Sequence, residues 1–296
     1  MNQPKVLPPL RHKPYGGAWS IHDSEAKDFV NGLPQREGDR EAFINDYKDW
    51  MSHGKDFVGL EKYSHIDFCA GTTEAFGQFY YQHLDKRLRL YKGEYFYHWL
   101  MARNYFKQSE AIGDSPLAKG DVVVISCPFS GTGNIPETFY EVLDQCQSLA
   151  IPVMLDLAYI NITDINKLNL DYDCVEVITT SLSKVFPVET NRIGIRLRRK
   201  NYDDSLYAYN QNNYVNLYSV SIGHDLIKKF DNKWLTSKYR SRQKDLCWEL
   251  GCRISDSVIF GLAKKGNFDE YDRGGEYNRL CFSRLWDGRI YDTTDQ

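Results

Sequence analysis

The sequence of 296 residues predicts an α/β fold with three layers, in which helices cover both faces of a mainly parallel sheet. The main observation is a pair of short apolar runs, DVVVIS at residues 121–126 and IPVMLD at residues 151–156, with a helical segment at residues 137–150 between them. Two further buried strands are predicted at residues 174–180 and 193–197. Such strands alternate with helices in parallel sheets, where ligands bind beyond the carboxyl ends of the strands.

Shorter patterns predict the elements on either side of this region. Upstream, helices are predicted at residues 42–51, 73–86 and 97–107, and strands at residues 65–69 and 87–91. Downstream, a long helical segment is predicted at residues 224–253, and strands at residues 257–263 and 278–284.

Composition divides the chain into three parts. Residues 1–40 are rich in proline, glycine and charge, which indicates an irregular N-terminal arm. Residues 41–205 carry the strands of the sheet and are expected to form a large domain. The more polar and helical residues 206–296 are expected to form a small C-terminal domain of the α+β type.

Charge and cysteine content restrict the possible partners and the compartment. The chain has 37 Lys and Arg against 40 Asp and Glu, so neither nucleic acid nor a membrane is expected as partner, and a small-molecule substrate is favoured. Seven cysteines without a Cys-x-x-Cys pair suggest neither disulfides nor zinc, and the seven histidines lack metal-ligand spacing. The first residues lack a secretion-signal pattern and no apolar run reaches 18 residues, so a soluble cytoplasmic protein is expected.

The stretch Ser181-Leu-Ser183-Lys184, with Arg192 eight positions later, is the most informative motif. A lysine amine can condense with the aldehyde of pyridoxal 5'-phosphate. The cofactor's phosphate requires hydroxyl donors and a fixed cation, and an arginine can donate two hydrogen bonds to it. Taken alone, the stretch fits a polar turn after a strand equally well.

Two other motifs fit the same cofactor. Asp156 ends a predicted strand, so its carboxylate is a candidate partner of the pyridine nitrogen, and the phenol of Tyr159 could reach the ring's 3-oxygen. The alternative is an aspartate that caps a turn. Gly71-Thr72-Thr73 opens a predicted helix, where backbone N–H groups favour a phosphate, although the same residues also serve as an ordinary helix cap.

Three more candidates carry open alternatives. Tyr95 follows a predicted strand and offers either a stacking face or an ordinary core aromatic. Ser130 lies in a tight loop, CPFSGTG, which lacks the lysine of a phosphate loop. Arg279 stands among apolar strand residues and requires an anion, which is either a substrate carboxylate or a structural salt bridge.

In their order along the chain, these motifs resemble fold-type I pyridoxal-phosphate enzymes, most closely the class I and II aminotransferases. The resemblance extends from about residue 71 to residue 194 and resumes near Arg279. The segment AGTTEA is similar to the family's phosphate loop, DLAY to its Asp-x-x-Tyr pair, and PFSGTG to its Asn-Pro-Thr-Gly loop. The spacing from Lys184 to Arg192 is also that of the family.

The resemblance implies a role for each candidate. Lys184 would form the Schiff base and move the proton, Asp156 would pair with the pyridine nitrogen and Tyr159 with the 3-oxygen. Tyr95 would stack on the ring, and Arg279 would bind the substrate carboxylate. Ser130 stands where the family usually has an asparagine that donates to the 3-oxygen. The residues implied for the phosphate are Gly71, Thr72, Thr73, Ser181, Ser183 and Arg192.

The implied activity is an aminotransferase that exchanges an amino group between an amino acid and a 2-oxo acid. A homodimer is implied because the family's active sites lie at a subunit interface, and the short chain implies a reduced small domain. Other pyridoxal-phosphate chemistry stays open, namely decarboxylation, racemisation, elimination or side-chain substitution. A non-catalytic protein that retains the fold is a further alternative.

Overall fold

The computed structural model describes residues 13–286. The predictions for the first part of the arm, residues 1–12, and for the last part of the small domain, residues 287–296, lie outside the described residues.

Helices and strands alternate through the first two thirds of the described chain. The α-helices are α1 (Ser24–Gly32), α2 (Arg40–Ser52), α3 (Thr72–Gln82), α4 (Phe96–Tyr105), α5 (Phe139–Leu149), α6 (Ser205–Gln211), α7 (Leu217–Lys229), α8 (Trp234–Glu249) and α9 (Ser283–Trp286). The strands are β1 (Asp56–Val58), β2 (His65–Cys69), β3 (Arg87–Leu90), β4 (Gln108–Ala111), β5 (Asp121–Ser126), β6 (Val153–Asp156), β7 (Lys167–Asn169), β8 (Val175–Ser181), β9 (Gly194–Arg198), β10 (Arg253–Ile254), β11 (Phe260–Ala263) and β12 (Asn278–Cys281).

The central sheet has seven strands in the order β2-β9-β8-β6-β5-β3-β4. The pairs among β4, β3, β5, β6 and β8 are parallel, whereas β9 is antiparallel to both of its neighbours. The prediction of a mainly parallel sheet is therefore confirmed. Two smaller sheets accompany it, a parallel pair of β1 with β7 and an antiparallel sheet in the order β10-β11-β12.

Alternate side chains of the central strands enter two different cores. On β5, Val123 and Ile125 pack in the core that contains Phe43 and Tyr47 of α2, whereas Val122 and Val124 pack in a second core with α3 and α4. All four are fully buried, and each such side chain contributes about 1.5–3 kcal/mol of hydrophobic free energy. This two-sided burial explains why the run is continuously apolar, and it confirms the three-layer prediction.

The strand register places several polar side chains at one edge of the sheet. Ser126 at the end of β5 is paired with Asp156 at the end of β6, and Ser181 at the end of β8 is paired with Gly194. The antiparallel β9 and β2 bring Cys69 opposite Gly194, so that the chain enters α3 at the same edge.

The arm is not irregular throughout, in contrast to the expectation from its composition. Ser24–Gly32 forms α1, because the Asp23 carboxylate caps its first turn by accepting hydrogen bonds from the N–H groups of Glu25 and Ala26. The division of the chain into an arm, a large domain and a small domain stays a prediction.

Two predicted elements in the C-terminal part are also different in the structure. The segment 224–253 is not one helix, since Phe230 has extended backbone and the Asn232 side chain donates to the carbonyls of Trp50 and His53. Strand β12 ends at Cys281 rather than at residue 284, and α9 follows it. Among residues 13–286, no helix combines the length and the apolar character needed to cross a membrane.

Candidate active site

A cavity of about 340 Å³ lies at the carboxyl edge of the central sheet. Its walls come from the arm at residues 17–19, the start of α3, the ends of β5, β6 and β8, and two arginines of the C-terminal part. Every predicted site residue lines this cavity except Gly71, which lies just before Thr72. The volume is that of an ordinary small-molecule pocket, about 300–1,000 Å³.

Lys184 projects into the cavity from a single 3₁₀ turn that follows β8 directly. The turn is capped by Ser181, whose hydroxyl accepts a hydrogen bond from the Ser183 N–H at 3.1 Å. The Lys184 ammonium donates to the carbonyl of Ala18 in the arm, and its Nζ lies 5.9 Å from the centre of the Tyr159 ring. The amine is thus held in the cavity by a neutral acceptor and an aromatic face.

A group of hydroxyls and one guanidinium surrounds the start of α3. Arg192 Nη2 donates to Thr73 Oγ1 at 2.9 Å, and the hydroxyls of Ser181 and Ser183 lie 3.0 Å apart. Arg192 has a φ of +56°, which is a costly left-handed conformation for a residue with a side chain. Gly71 has a φ of +76°, and a Cβ on it would lie 2.5 Å from Arg192 Nη2.

Asp156 is almost fully buried at the end of β6. Its Oδ1 accepts a hydrogen bond from the Ala158 N–H at 2.9 Å, and its Oδ2 lies 3.9 Å from Nε2 of His98. His98 is completely buried and its Nδ1 is hydrogen-bonded to the Tyr80 hydroxyl. His98 belongs to no sequence motif. The only feature of the sequence that points to it is its position three residues after Tyr95, in the first turn of α4.

Ser130 is held by a chain of buried hydrogen bonds. The Glu94 carboxylate accepts from the Ser126 N–H at 3.0 Å and from the Ser126 hydroxyl, which in turn accepts from the Ser130 N–H at 2.8 Å. Burial raises the pKa of Glu94. The Ser130 hydroxyl itself is buried and has no partner among residues 13–286.

Two tyrosines provide the aromatic part of the wall. Tyr95 is half-buried and meets the His98 ring edge to face, with centroids 5.6 Å apart. Burial raises its pKa, so its hydroxyl stays protonated at ordinary pH. Tyr159 packs edge to face on Phe260 at 5.4 Å. Both tyrosines line the same cavity as Asp156 and Lys184.

Arg279 is buried on β12, opposite Leu262 of β11. Its guanidinium donates to the carbonyls of Ser130 and Gly17 and stacks on Phe260, with Cζ 4.3 Å from the ring centre. No carboxylate of residues 13–286 pairs with it. The salt-bridge interpretation of Arg279 thus receives no support in the described part of the chain.

The arm closes one side of the cavity through contacts that carry no sequence signal. Glu189 lines the cavity and accepts hydrogen bonds from the Ser20 hydroxyl and from His22 Nε2 at 3.0 Å. Burial opposes the ionisation of Glu189, but these hydrogen bonds outweigh it and lower its pKa. The Trp19 ring lines the cavity as well.

The residues present fit pyridoxal phosphate. Arg192, the hydroxyls near it and the N-terminal end of α3 provide a cation and donors for a phosphate, in a space that a Cβ on Gly71 would enter. Lys184 supplies the amine and Asp156 the buried carboxylate within the same cavity. Within residues 13–286, no group of three or more His, Cys, Asp or Glu could hold a metal ion.

Comparisons with known proteins agree with this description. The family model described as aminotransferase class I and II matches residues 65–246. An aminotransferase from Staphylococcus aureus is 14% identical, with a TM-score of 0.64 over 94% of this chain and 90% of that chain.

Two similar structures have other descriptions. An L-threonine-O-3-phosphate decarboxylase from Porphyromonas gingivalis has 14% identity and a TM-score of 0.64 over 89% of this chain and 92% of that chain. A PLP-bound C-S lyase from Staphylococcus hominis has 10% identity and a TM-score of 0.65 over 90% of this chain and 86% of that chain. No curated protein matches the chain at a significant level.

Proposed function

We propose that this chain, which belongs to the class I and II aminotransferase family, exchanges an amino group between an amino acid and a 2-oxo acid with the help of pyridoxal phosphate. The observation that carries the proposal is the meeting of Lys184, Asp156 and Arg192 around one cavity. These three residues come from the end of β6, the turn after β8 and the segment before β9. Together they provide an amine, a buried carboxylate and a phosphate-binding cation.

When bound, pyridoxal phosphate supplies an aldehyde that condenses with amines and a ring that withdraws electrons from the attached carbon. Arg192, Thr73 and the two serines would hold its phosphate, and Asp156 would hold its ring nitrogen. The Asp156 carboxylate is suited to this role because it lines the cavity and the Ala158 N–H fixes its Oδ1, while its Oδ2 lies 3.9 Å from Nε2 of the buried His98. A carboxylate fixed in this way orients its partner without a cost of rearrangement.

Lys184 Nζ is the group that moves the proton to and from the substrate's α-carbon. No other lysine of the described residues lines the cavity. In this structure the amine donates to the Ala18 carbonyl, which is a neutral partner and can be exchanged without separating an ion pair. Its position at the end of a capped turn restricts the directions in which it can move.

Arg279 binds and orients the substrate carboxylate. Its two carbonyl partners and the Phe260 ring fix the plane of the guanidinium without neutralising its charge. A guanidinium that is fixed in orientation and has no paired anion favours a carboxylate that accepts two hydrogen bonds from it. The arm, held by Glu189, excludes water from the same side of the cavity.

A second candidate function is decarboxylation or elimination by the same cofactor. The structures of a decarboxylase and a C-S lyase are as similar to this chain as that of the aminotransferase, with TM-scores of 0.64 and 0.65 against 0.64. Ser130 stands where the family usually has an asparagine that donates to the 3-oxygen. Through this substitution the electronic state of the cofactor would differ from that in a usual aminotransferase.

The test is a spectroscopic titration of the purified protein loaded with pyridoxal phosphate. An amino acid is added first and a 2-oxo acid second. Conversion of the cofactor to pyridoxamine phosphate, reversed by the 2-oxo acid, is the expected result. Irreversible release of carbon dioxide or ammonia would instead establish the second candidate, and failure to bind the cofactor would contradict both.

We also propose a homodimer in the cytoplasm. The family resemblance supports the dimer, and so do the exposed aromatic side chains of Tyr209, Tyr214 and Tyr218 around α6 and α7. The seven free cysteines support a reducing compartment. Light scattering after size exclusion should give twice the mass of one chain, and the mass of one chain would contradict the dimer.

A further inference from the structure

Cations outnumber carboxylates in the wall of the cavity. Among the described residues, Lys184, Arg192, Arg273 and Arg279 line it, against only Asp156 and Glu189. The two carboxylates already have other partners: Asp156 accepts from the Ala158 N–H, and Glu189 accepts from Ser20 and His22. The wall thus carries an excess of positive charge that ligands must balance.

Arg273 is the one cation of this wall that has no partner in the described chain. Lys184 and Arg279 donate to carbonyls, and Arg192 donates to Thr73. Arg273 makes no hydrogen bond or ion pair with any of residues 13–286, and its Nε is buried without an acceptor. Its sequence neighbour Asp272 is not available, because it accepts from Lys265 and from the Gly274 N–H.

The loop that carries Arg273 is packed closely against the cavity wall. Gly93, two residues before Tyr95, has a φ of +80°, and a Cβ on it would lie 3.3 Å from the Gly275 N and 3.5 Å from the Arg273 carbonyl. The backbone of Arg273 therefore lies close to the segment that provides the tyrosine of the wall. Strand β12 begins at Asn278 and holds the other end of the loop.

The electrostatic state of Arg273 is unfavourable without a ligand. Burial and the nearby charge of Arg279 lower its pKa to about 9. Two guanidinium groups that share one wall with no anion between them repel each other. A ligand with a negative group in this place would remove the repulsion and supply the missing hydrogen bonds.

We propose that Arg273 binds a second anionic group of the substrate, a carboxylate or a phosphate ester on its side chain. The inference rests on the proposed function, which assigns Lys184 to the cofactor aldehyde, Arg192 to the cofactor phosphate and Arg279 to the α-carboxylate. Arg273 is then the specificity-determining residue, and the substrate is an acidic or phosphorylated amino acid.

The experiment measures binding of non-reactive probes, by calorimetry, to the protein loaded with pyridoxal phosphate. Each probe lacks an amino group and is paired with a neutral analogue of similar shape: glutarate with its monoamide, and 3-phosphopropionate with 3-hydroxypropionate. The variants are Arg273→Gln and Arg273→Lys, and Arg253→Gln is the matched control because Arg253 is exposed on β10 and does not line the cavity.

The wild-type protein should bind the anionic member of at least one pair about 10-fold or more tightly than its neutral partner. Arg273→Gln should abolish this preference while leaving the neutral probe within about twofold, and Arg273→Lys should retain part of it. Arg253→Gln should behave as wild type. The pair that shows the preference distinguishes a carboxylate from a phosphate substrate.

Two results would overturn the proposal: a wild-type protein that binds both members of each pair equally, or an Arg273→Gln variant that retains the full preference for the anionic member, whether or not both members bind more weakly. Either would leave the proposed function standing if the cofactor's absorbance and the amino-group exchange are intact. Loss of cofactor binding in the wild-type protein would count against the proposed function instead.

Discussion

Gly71 and Arg192 are so close that a Cβ on the glycine would lie 2.5 Å from Nη2 of the arginine. Both residues have left-handed backbone, with φ of +76° and +56°. The guanidinium occupies the place of the missing side chain and from there reaches Thr73. The start of α3 and the segment before β9 thus pack against each other through the Arg192 guanidinium.

Replacement of this glycine should weaken cofactor binding. Gly71→Ala would displace the Arg192 guanidinium and strain the backbone, so we expect the affinity for pyridoxal phosphate to fall about 10-fold or more. Gly113→Ala is the control, because Gly113 has a φ of +95° but no atom within 4 Å of a Cβ. Equal affinity in the two variants, measured by fluorescence titration, would mean that Arg192 does not bind the phosphate.

Asp156 should affect turnover more than cofactor affinity. Asp156→Asn can still accept from the Ala158 N–H but lacks the negative charge that would hold a protonated ring nitrogen. We expect the rate of amino-group exchange to fall at least about 100-fold, which corresponds to about 2.7 kcal/mol. Single-turnover kinetics check this, and an unchanged rate would remove Asp156 from the catalytic residues.

The arm should loosen when its contact with Glu189 is weakened. Glu189→Gln retains the shape of the side chain but replaces charge-assisted hydrogen bonds to Ser20 and His22 with weaker ones. Hydrogen exchange of residues 18–22 should become about 5- to 10-fold faster, whereas exchange in β5 should not change. Unchanged exchange in the arm would show that Glu189 does not hold it.

The same contact should depend on pH. Because the pKa of Glu189 is lowered in the folded protein, its contribution to stability is complete above the ordinary carboxyl pKa and is lost as the pH falls through the folded value. As the pH falls, the protection factors of the arm amides, which are corrected for the intrinsic exchange rate, should therefore decrease more in the wild-type protein than in Glu189→Gln. A difference between the two proteins that does not depend on pH would contradict this.

Lys55 should destabilise the protein at neutral pH. Burial, with Lys233 nearby, lowers its pKa to about 8, so the cost of the buried charge is complete below that pH. The cost fades between about pH 8 and the pKa of about 10.4 of an unfolded lysine. Lys55→Met should raise the free energy of unfolding by about 1–2 kcal/mol at pH 7 and by nothing above that range.

Urea denaturation at several pH values measures this effect. The exposed Lys228 provides the control, since Lys228→Met removes the same charge from the surface of α7. A gain of stability that is equal at pH 7 and at high pH would show that it comes from packing of the methionine rather than from the charge.

The predictable parts of the fold and site are those encoded locally. The apolar runs that form β5 and β6 end at Ser126 and Asp156, so the residue pattern alone is enough to locate the polar edge of the sheet. The spacing of Lys184 and Arg192 is set by one turn and one strand start, which a short motif specifies.

The parts that local patterns do not predict depend on contacts between distant segments. His98 comes near Asp156 only because α4 packs against β3 and β4 of the same sheet. Arg273 reaches the cavity from a loop that has no regular sequence pattern. The break between α7 and α8 depends on the Asn232 side chain, which donates hydrogen bonds to the carbonyls of Trp50 in α2 and of His53 just after α2. Helix α1 is absent from the sequence prediction although Asp23 is an ordinary capping residue. The reason is that the proline and glycine residues of the preceding segment indicate irregular structure for the whole arm.

The most direct test of the account is to locate the attachment of the cofactor. The protein loaded with pyridoxal phosphate is reduced with borohydride, digested and analysed by peptide mass spectrometry, beside the Lys184→Ala variant with its fold verified by circular dichroism. We expect the added mass on Lys184 alone in the wild-type protein and no adduct in the variant. An adduct on a different lysine, or an adduct that persists in Lys184→Ala, would contradict the assignment of this site.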